Sequence, residues 1–78
     1  MDELLDLYKR YVDEEYTIAD VSRILSYIAV PQLSEDYIRQ VENQIEWIRF
    51  MFERDEQKER VISLLNEMID RITVEDSI

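Results

Sequence analysis

Carboxylates are the only reactive side chains that this chain carries in number. Its 78 residues include 19 Asp and Glu but neither Cys nor His. Three pairs of acids share a helix face by spacing, and paired carboxylates are groups that hold magnesium or manganese. The pairs are Glu42 with Glu46, Glu56 with Glu59, and Glu67 with Asp70. A catalytic hypothesis therefore depends on a metal bound by such acids.

A structural role explains the same acids better. Glu56 and Glu67 each lie four residues before an arginine, Arg60 and Arg71, and this spacing forms ion pairs along an exposed helix. The last two pairs resemble the carboxylate ladder of all-helical nucleoside-triphosphate pyrophosphatases, but that family places its acidic motifs on different helices. Without histidine, the Glu-x-x-His motif of di-iron bundles is absent. We predict no enzyme activity, no metal and no cofactor.

Missing residue types exclude further classes of function. Without cysteine there is no disulfide framework, thiolate zinc site or cysteine nucleophile. Without glycine there is no phosphate-binding loop, EF-hand loop or nucleophile elbow. Residues 1–7 contain three acids and no basic stretch before an apolar core, unlike a secretory signal or transit peptide. We therefore expect a cytoplasmic protein.

Composition predicts an all-α fold. The chain is 46% hydrophobic and 36% charged, which is too apolar for a disordered tail and too charged for a membrane span. One proline and no glycine leave few helix breakers, and residues 1–78 are too few for more than one domain. We predict a small up-down bundle of four short helices, or three if the last two fuse, with a frayed tail at 73–78.

Capping signals locate the helix boundaries. The first helix is predicted over residues 2–14, with an aspartate at its start as N-cap. Thr17 and Asp20 are spaced as a capping box for a second helix, predicted over 18–30 because Pro31 disfavours helical geometry in the residue before it.

The second half of the chain contains one strong start signal and one ambiguous stretch. Ser34 is the predicted N-cap of the third helix. Residues 53–60 contain seven charged side chains in eight positions, and they form either the middle of one long helix or a hairpin turn with Asp55 as the N-cap of the fourth helix. We favour the hairpin, because a single long helix in so short a chain would have nothing to pack against.

The predicted core follows apolar residues spaced three and four positions apart. On the first helix we expect Leu4, Leu5, Tyr8 and Val12 on the buried face, with Leu7 and Tyr11 flanking it. On the others we expect Ile18, Val21, Ile24, Leu25, Ile28, Ile38, Val41, Ile45, Ile48, Phe52, Val61, Ile62, Leu65, Met68, Ile69 and Ile72. The third helix, with Trp47 at the edge of its apolar face, is the predicted centre of the core. Surplus apolar side chains at Phe50, Met51, Leu64 and also Val61 favour self-association.

Net charge indicates the kind of partner. Nine basic and 19 acidic residues give −10, which disfavours nucleic acid and membrane surfaces and favours a basic protein partner. Half of that net charge lies in residues 1–20, which hold seven acids and two bases.

Tyrosines lie among these acids, and tyrosine with carboxylates is typical of a protein-binding surface. The candidate partner-binding residues are Tyr11, Asp13, Glu14, Glu15, Tyr16 and Asp20. Two alternatives stay open at this point: the tyrosines can belong to the core, and the acids 13–15 can form a solvated loop.

The chain is small, acidic and helical, and it carries the segment Glu42-Asn43-Gln44-Ile45-Glu46-Trp47 followed by the charged turn Glu53 to Arg60. In these features the whole chain resembles the small helical immunity proteins that bacteria make against their own nuclease toxins. The resemblance implies an immunity or antitoxin-type inhibitor that occludes the basic cleft of a toxin nuclease, its carboxylates standing in for substrate phosphates. It transfers no individual residue. The alternative is a self-associating helical adaptor or regulatory subunit.

Overall fold

The residues that the structure describes form four helices, and none of them is in a strand. The structure is a computed structural model that describes residues 2–28 and 30–76. The helices are α1 (Asp2–Val12), α2 (Ile18–Leu25), α3 (Glu35–Met51) and α4 (Arg54–Asp76). The prediction of a small all-α bundle of four helices is confirmed, and the last two helices do not fuse. The predicted N-cap role of Asp2 rests on a side chain outside the described part.

Two of the predicted caps are present. The Thr17 hydroxyl accepts from the Asp20 backbone N–H at 3.2 Å, while the Asp20 carboxylate accepts from the Thr17 N–H at 3.0 Å, which completes a capping box at the start of α2. The Ser34 hydroxyl accepts from the Tyr37 N–H at 3.1 Å at the start of α3. Local sequence therefore fixes where both helices begin.

A glutamine side chain closes the two-residue turn between α3 and α4. The Gln57 Nε2 donates to the carbonyl oxygens of Arg49 at 3.0 Å and Phe52 at 2.8 Å, which would otherwise lack intrahelical partners. The predicted N-cap at Asp55 is wrong. The α4 helix begins at Arg54, and the Glu53 carbonyl accepts its first hydrogen bond from the Gln57 backbone N–H at 2.8 Å.

Three other helix ends differ from the prediction. The α1 helix stops at Val12 and not at residue 14, because the chain turns out of the helix at residues 13–15. The α2 helix stops at Leu25, because the chain tightens into turns in which the Ser26 and Tyr27 N–H groups bond to carbonyls three residues back. The α4 helix is longer than predicted: it continues through Asp76, so residues 73–76 of the predicted tail are helical. Residues 77 and 78 of that tail lie outside the described residues.

The core lies around α4, which packs against each of the other three helices. Its buried side chains repeat every three or four residues, so they form one continuous stripe. The buried residues are Leu4, Leu7, Tyr11, Val21, Leu25, Val30, Leu33, Val41, Ile45, Ile48, Val61, Leu65, Met68 and Ile72. The prediction that α3 is the centre of the core is wrong, because much of its apolar surface faces solvent.

The buried face of α1 is rotated from the predicted one. Leu4, Leu7 and Tyr11 are buried, whereas Leu5 and Tyr8 are only partly buried and Val12 is exposed. Both sets have helical spacing, and the packing of α1 between α2 and α4 selects one of them. Val61 is fully buried, so it is a core residue and not surplus apolar surface.

Candidate functional site

A charged groove lies where the connection between α1 and α2 meets the start of α4. It has a volume of about 480 Å³, and its walls carry both carboxylates and basic groups. The lining residues are Tyr11, Glu14, Tyr16, Thr17, Ile18, Arg54, Asp55, Gln57 and Lys58. Three of the six predicted partner-binding residues, Tyr11, Glu14 and Tyr16, therefore line one groove.

Glu14 occupies a backbone conformation that normally favours glycine. Its φ is 65°, in the left-handed region. The Glu15 N–H bonds to the Arg10 carbonyl at 2.8 Å and the Glu14 N–H to the Tyr11 carbonyl at 3.1 Å, which is the Schellman pattern at the end of α1. The chain therefore accepts backbone strain at the position that places a carboxylate in the charged groove.

That carboxylate bridges the two halves of the groove. The Glu14 Oε1 accepts from the Lys58 Nζ at 3.0 Å, and this hydrogen bond and charge hold the pKa of Glu14 below its ordinary value. The Glu14 side chain is 78% exposed, so water screens the pair and its contribution to stability is small. A competing cation can therefore displace Lys58 without a large loss of stability.

Arg10 organises the neighbouring acids. Its Nε donates to the Asp6 carboxylate at 2.9 Å, and the hydrogen bond and negative charge of Asp6 raise its pKa further. The same guanidinium lies 3.8 Å from the Glu15 carboxylate and 5.9 Å from the centre of the Tyr16 ring. Glu15 and Tyr16 are therefore held together by one cation on the surface beside the groove.

The remaining predicted residues have different surroundings. Asp20 serves the capping box and lies 3.2 Å from Arg23, and the hydrogen bond from the Thr17 backbone N–H lowers its pKa. Asp13 is exposed and has no ion pair among the described residues. Tyr11 is only 6% exposed, and burial raises its pKa, so its ring belongs to the core and offers little contact surface.

The fold joins two segments that are far apart in the sequence. The charged segment 53–60 is helical from Arg54 onward, so it is not the predicted turn. The acids at 13–15 meet this segment across the Glu14–Lys58 ion pair, which spans 44 residues of chain. Arg54 and Lys58 therefore offset part of the negative charge that the N-terminal segment concentrates. The predicted ion pair of Glu56 with Arg60 is absent from the described residues, because the Arg60 guanidinium lies 3.9 Å from the centre of the Phe52 ring.

A second surface feature is an uncharged stripe on α3. Trp47, Phe50 and Met51 are 55%, 81% and 62% exposed, which makes them the largest apolar side chains on the outside of this helix. Exposed amides continue the same face toward the N-terminus. We call this surface the α3 stripe; its residues are Gln40, Asn43, Gln44, Trp47, Phe50 and Met51.

Sequence reasoning identified Phe50 and Met51 as surplus apolar side chains, but it placed Trp47 at the edge of the core and missed that these residues form one uncharged face with the amides. The signal that could have found it is the absence of charge at positions three and four apart from 40 to 51, in a chain of which 36% is charged. Trp47 lies at the margin between the two faces, and its ring meets Phe52 edge-on at 5.5 Å.

Other functional classes find no support in the part of the chain that the structure describes. No group of three or more Asp and Glu residues there is arranged to hold a metal ion. No described helix has the length and apolarity needed to cross a membrane. No family model matches the chain, and no curated protein or solved structure matches it significantly.

Proposed function

We propose that the chain is an acidic protein-binding module that captures a basic protein partner, in the manner of an immunity or antitoxin-type inhibitor of a toxin nuclease. The observation that supports this most is the set of exposed carboxylates around the charged groove. The whole chain has a net charge of −10, and the carboxylates of Glu14 and Glu15 form only exposed ion pairs with its own basic side chains.

The contact chemistry follows from that pairing. Lysine or arginine side chains of the partner compete with Lys58 for Glu14 and with Arg10 for Glu15, while Asp13 is already available. Each exchange replaces one exposed ion pair by another, so it costs little, and the surrounding negative charge accelerates encounter.

Tyr16 supplies the aromatic contact. Its ring is half-buried beside the groove, so its position is fixed while one side still reaches solvent. Tyrosine provides contact area with few rotatable bonds, which suits a binding hot spot. Tyr11 contributes only by supporting the floor of the groove, because it is buried.

The specific form of the proposal is tested with the proteins encoded next to this chain's gene. We expect one of them to be a basic nuclease, and we expect an equimolar amount of this chain to abolish its nuclease activity. The salt dependence of association is the second readout, because screening of steering charges slows encounter. A neighbouring nuclease that keeps full activity in equimolar mixture, or the absence of any basic protein among the neighbours, would contradict the inhibitor role.

A further inference from the structure

The α3 stripe concentrates exposed apolar surface on one helix face. Among the described residues, five large apolar side chains are exposed, and three of them are Trp47, Phe50 and Met51. Aromatic residues and methionine are enriched in protein interfaces, and charged residues are depleted from interface centres. The stripe has both properties.

We propose that two copies of this chain associate as a symmetric dimer through the α3 stripe. This surface is separate from the charged groove, and its role does not depend on the function proposed above. It adds a second interface, and a dimer formed through it would present two charged grooves to a partner.

The distribution of acids over the surface favours a second copy as the occupant. Every copy carries a net charge of −10, so two copies repel each other unless acids stay away from the contact. Other exposed faces carry acids, as Glu3 and Asp6 do on α1 and Glu59 and Asp70 do on α4. The α3 stripe contains none, so two copies meet there with the least repulsion. A basic partner would gain no electrostatic attraction from the same surface.

The shape next to the stripe is suited to a two-fold contact. A shallow groove of about 360 Å³ runs between α3 and α4, lined by Gln44, Trp47, Ile48, Arg60, Ser63 and Leu64. Phe50 lies one helical turn beyond Trp47 and is 81% exposed. A two-fold axis near Trp47 places Phe50 of one protomer over the groove of its partner, and the reverse contact follows by symmetry.

Cation–π contacts hold two arginine side chains at the ends of the α3–α4 helix pair, next to the proposed dimer contact. Arg60 is held over the Phe52 ring, and at the other end of the helix pair Arg71 lies 4.2 Å from the centre of the Tyr37 ring. The amides at Gln40, Asn43 and Gln44 can donate and accept hydrogen bonds across the interface. The α3 stripe has six residues, fewer than the roughly 20 to 30 per partner of standard interfaces, so we expect a weak, concentration-dependent dimer.

Sedimentation and fluorescence test the dimer directly. Trp47 is the single tryptophan of the chain, so its emission reports this surface alone. As concentration rises from low micromolar to about 1 mM, the average mass should rise from 9.5 kDa toward twice that value, with a blue shift of the emission. Added salt should strengthen association because it screens the repulsion between copies, which is opposite to its expected effect on a basic partner.

Matched substitutions distinguish association through the α3 stripe from non-specific association. Phe50→Lys should raise the dissociation constant at least about tenfold, although it lowers the net negative charge. Tyr27→Lys makes the same charge change at another exposed aromatic residue, which is 67% exposed on a different part of the surface, and it should leave association unchanged. Helix content by circular dichroism should match the wild type in both variants. A strict monomer at about 1 mM, or equal association of Phe50→Lys and the wild type, would overturn the proposal.

Discussion

Glu14 carries two opposed contributions to the free energy of folding. Its left-handed backbone costs roughly 1 to 2 kcal/mol for a residue with a β-carbon. Its carboxylate reaches Lys58 at 3.0 Å, but this exposed pair returns little stability. The strained backbone at Glu14 therefore supports a role of its carboxylate in binding a partner, since strained residues cluster at functional sites.

Glycine and alanine at this position should separate the two contributions. Both Glu14→Gly and Glu14→Ala remove the ion pair, but only glycine relieves the strain. We expect Glu14→Gly to be about 1 kcal/mol more stable than Glu14→Ala in urea unfolding. Equal stability of the two variants would show that the backbone at Glu14 is not strained.

Glu15 provides the control for that comparison. It has ordinary backbone geometry one residue further along, so glycine brings no relief there. Glu15→Gly should be less stable than Glu15→Ala, because glycine loses more conformational freedom on folding.

Asp20 should make part of the free energy of unfolding depend on pH. The hydrogen bond from the Thr17 N–H lowers its pKa in the folded protein, so the unfolded chain takes up a proton first as pH falls. Its contribution is complete above the ordinary carboxyl pKa of about 4 and is lost as pH falls through the lower folded pKa. In denaturation series from pH 5 to pH 2, the wild type should lose stability more steeply than Asp20→Asn, which keeps an acceptor oxygen without the titration. If the free energy of unfolding fell equally steeply between pH 5 and pH 2 in both proteins, the result would contradict this.

At the scale of elements, Gln57 is the side chain that fixes the turn between α3 and α4. Truncation by Gln57→Ala removes the hydrogen bonds to the carbonyls of Arg49 in α3 and of Phe52 just after it, and we expect a loss of about 1 to 2 kcal/mol in the free energy of unfolding. The control is Gln40→Ala, which removes an exposed amide from α3 outside this turn. A loss no larger than that of the control would mean that the two bonds contribute nothing.

The starts of α2 and α3 could be predicted from the sequence because their caps are local, whereas the predicted cap of α4 at Asp55 is wrong. Thr17 with Asp20 and Ser34 each satisfy N–H groups within three residues, so the signal and the contact lie in the same short segment. The end of α2 and the buried face of α1 could not be predicted in the same way. Several stopping points and two overlapping apolar stripes satisfy the local pattern, and tertiary packing chooses among them.

At the scale of the molecule, the candidate site depends on a contact that no local pattern contains. The sequence indicates an acidic N-terminal segment and a mixed charged turn as separate features. The fold places Glu14 against Lys58 and so joins them into one groove, while Tyr11 turns into the core. Charge reversals in either segment therefore act on the same surface, and the two cannot be treated as competing contact sites.

We propose that the acids around the charged groove bind basic protein, and a titration followed by nuclear magnetic resonance tests this claim residue by residue. The probe is a lysine-rich peptide added to isotope-labelled chain at about 0.1 M and about 1 M salt, between which the screening length falls from about 10 Å to about 3 Å. The variant pair is Asp13→Lys with Glu15→Lys, matched in charge by Glu67→Lys with Asp70→Lys, two exposed acids of α4 outside the segment 53–60. We expect low-salt shifts to centre on residues 13–16 and 54–58, to vanish at high salt, and to be lost only in the first variant pair. Shifts spread evenly over all acids, or an equal loss in both variant pairs, would contradict the claim.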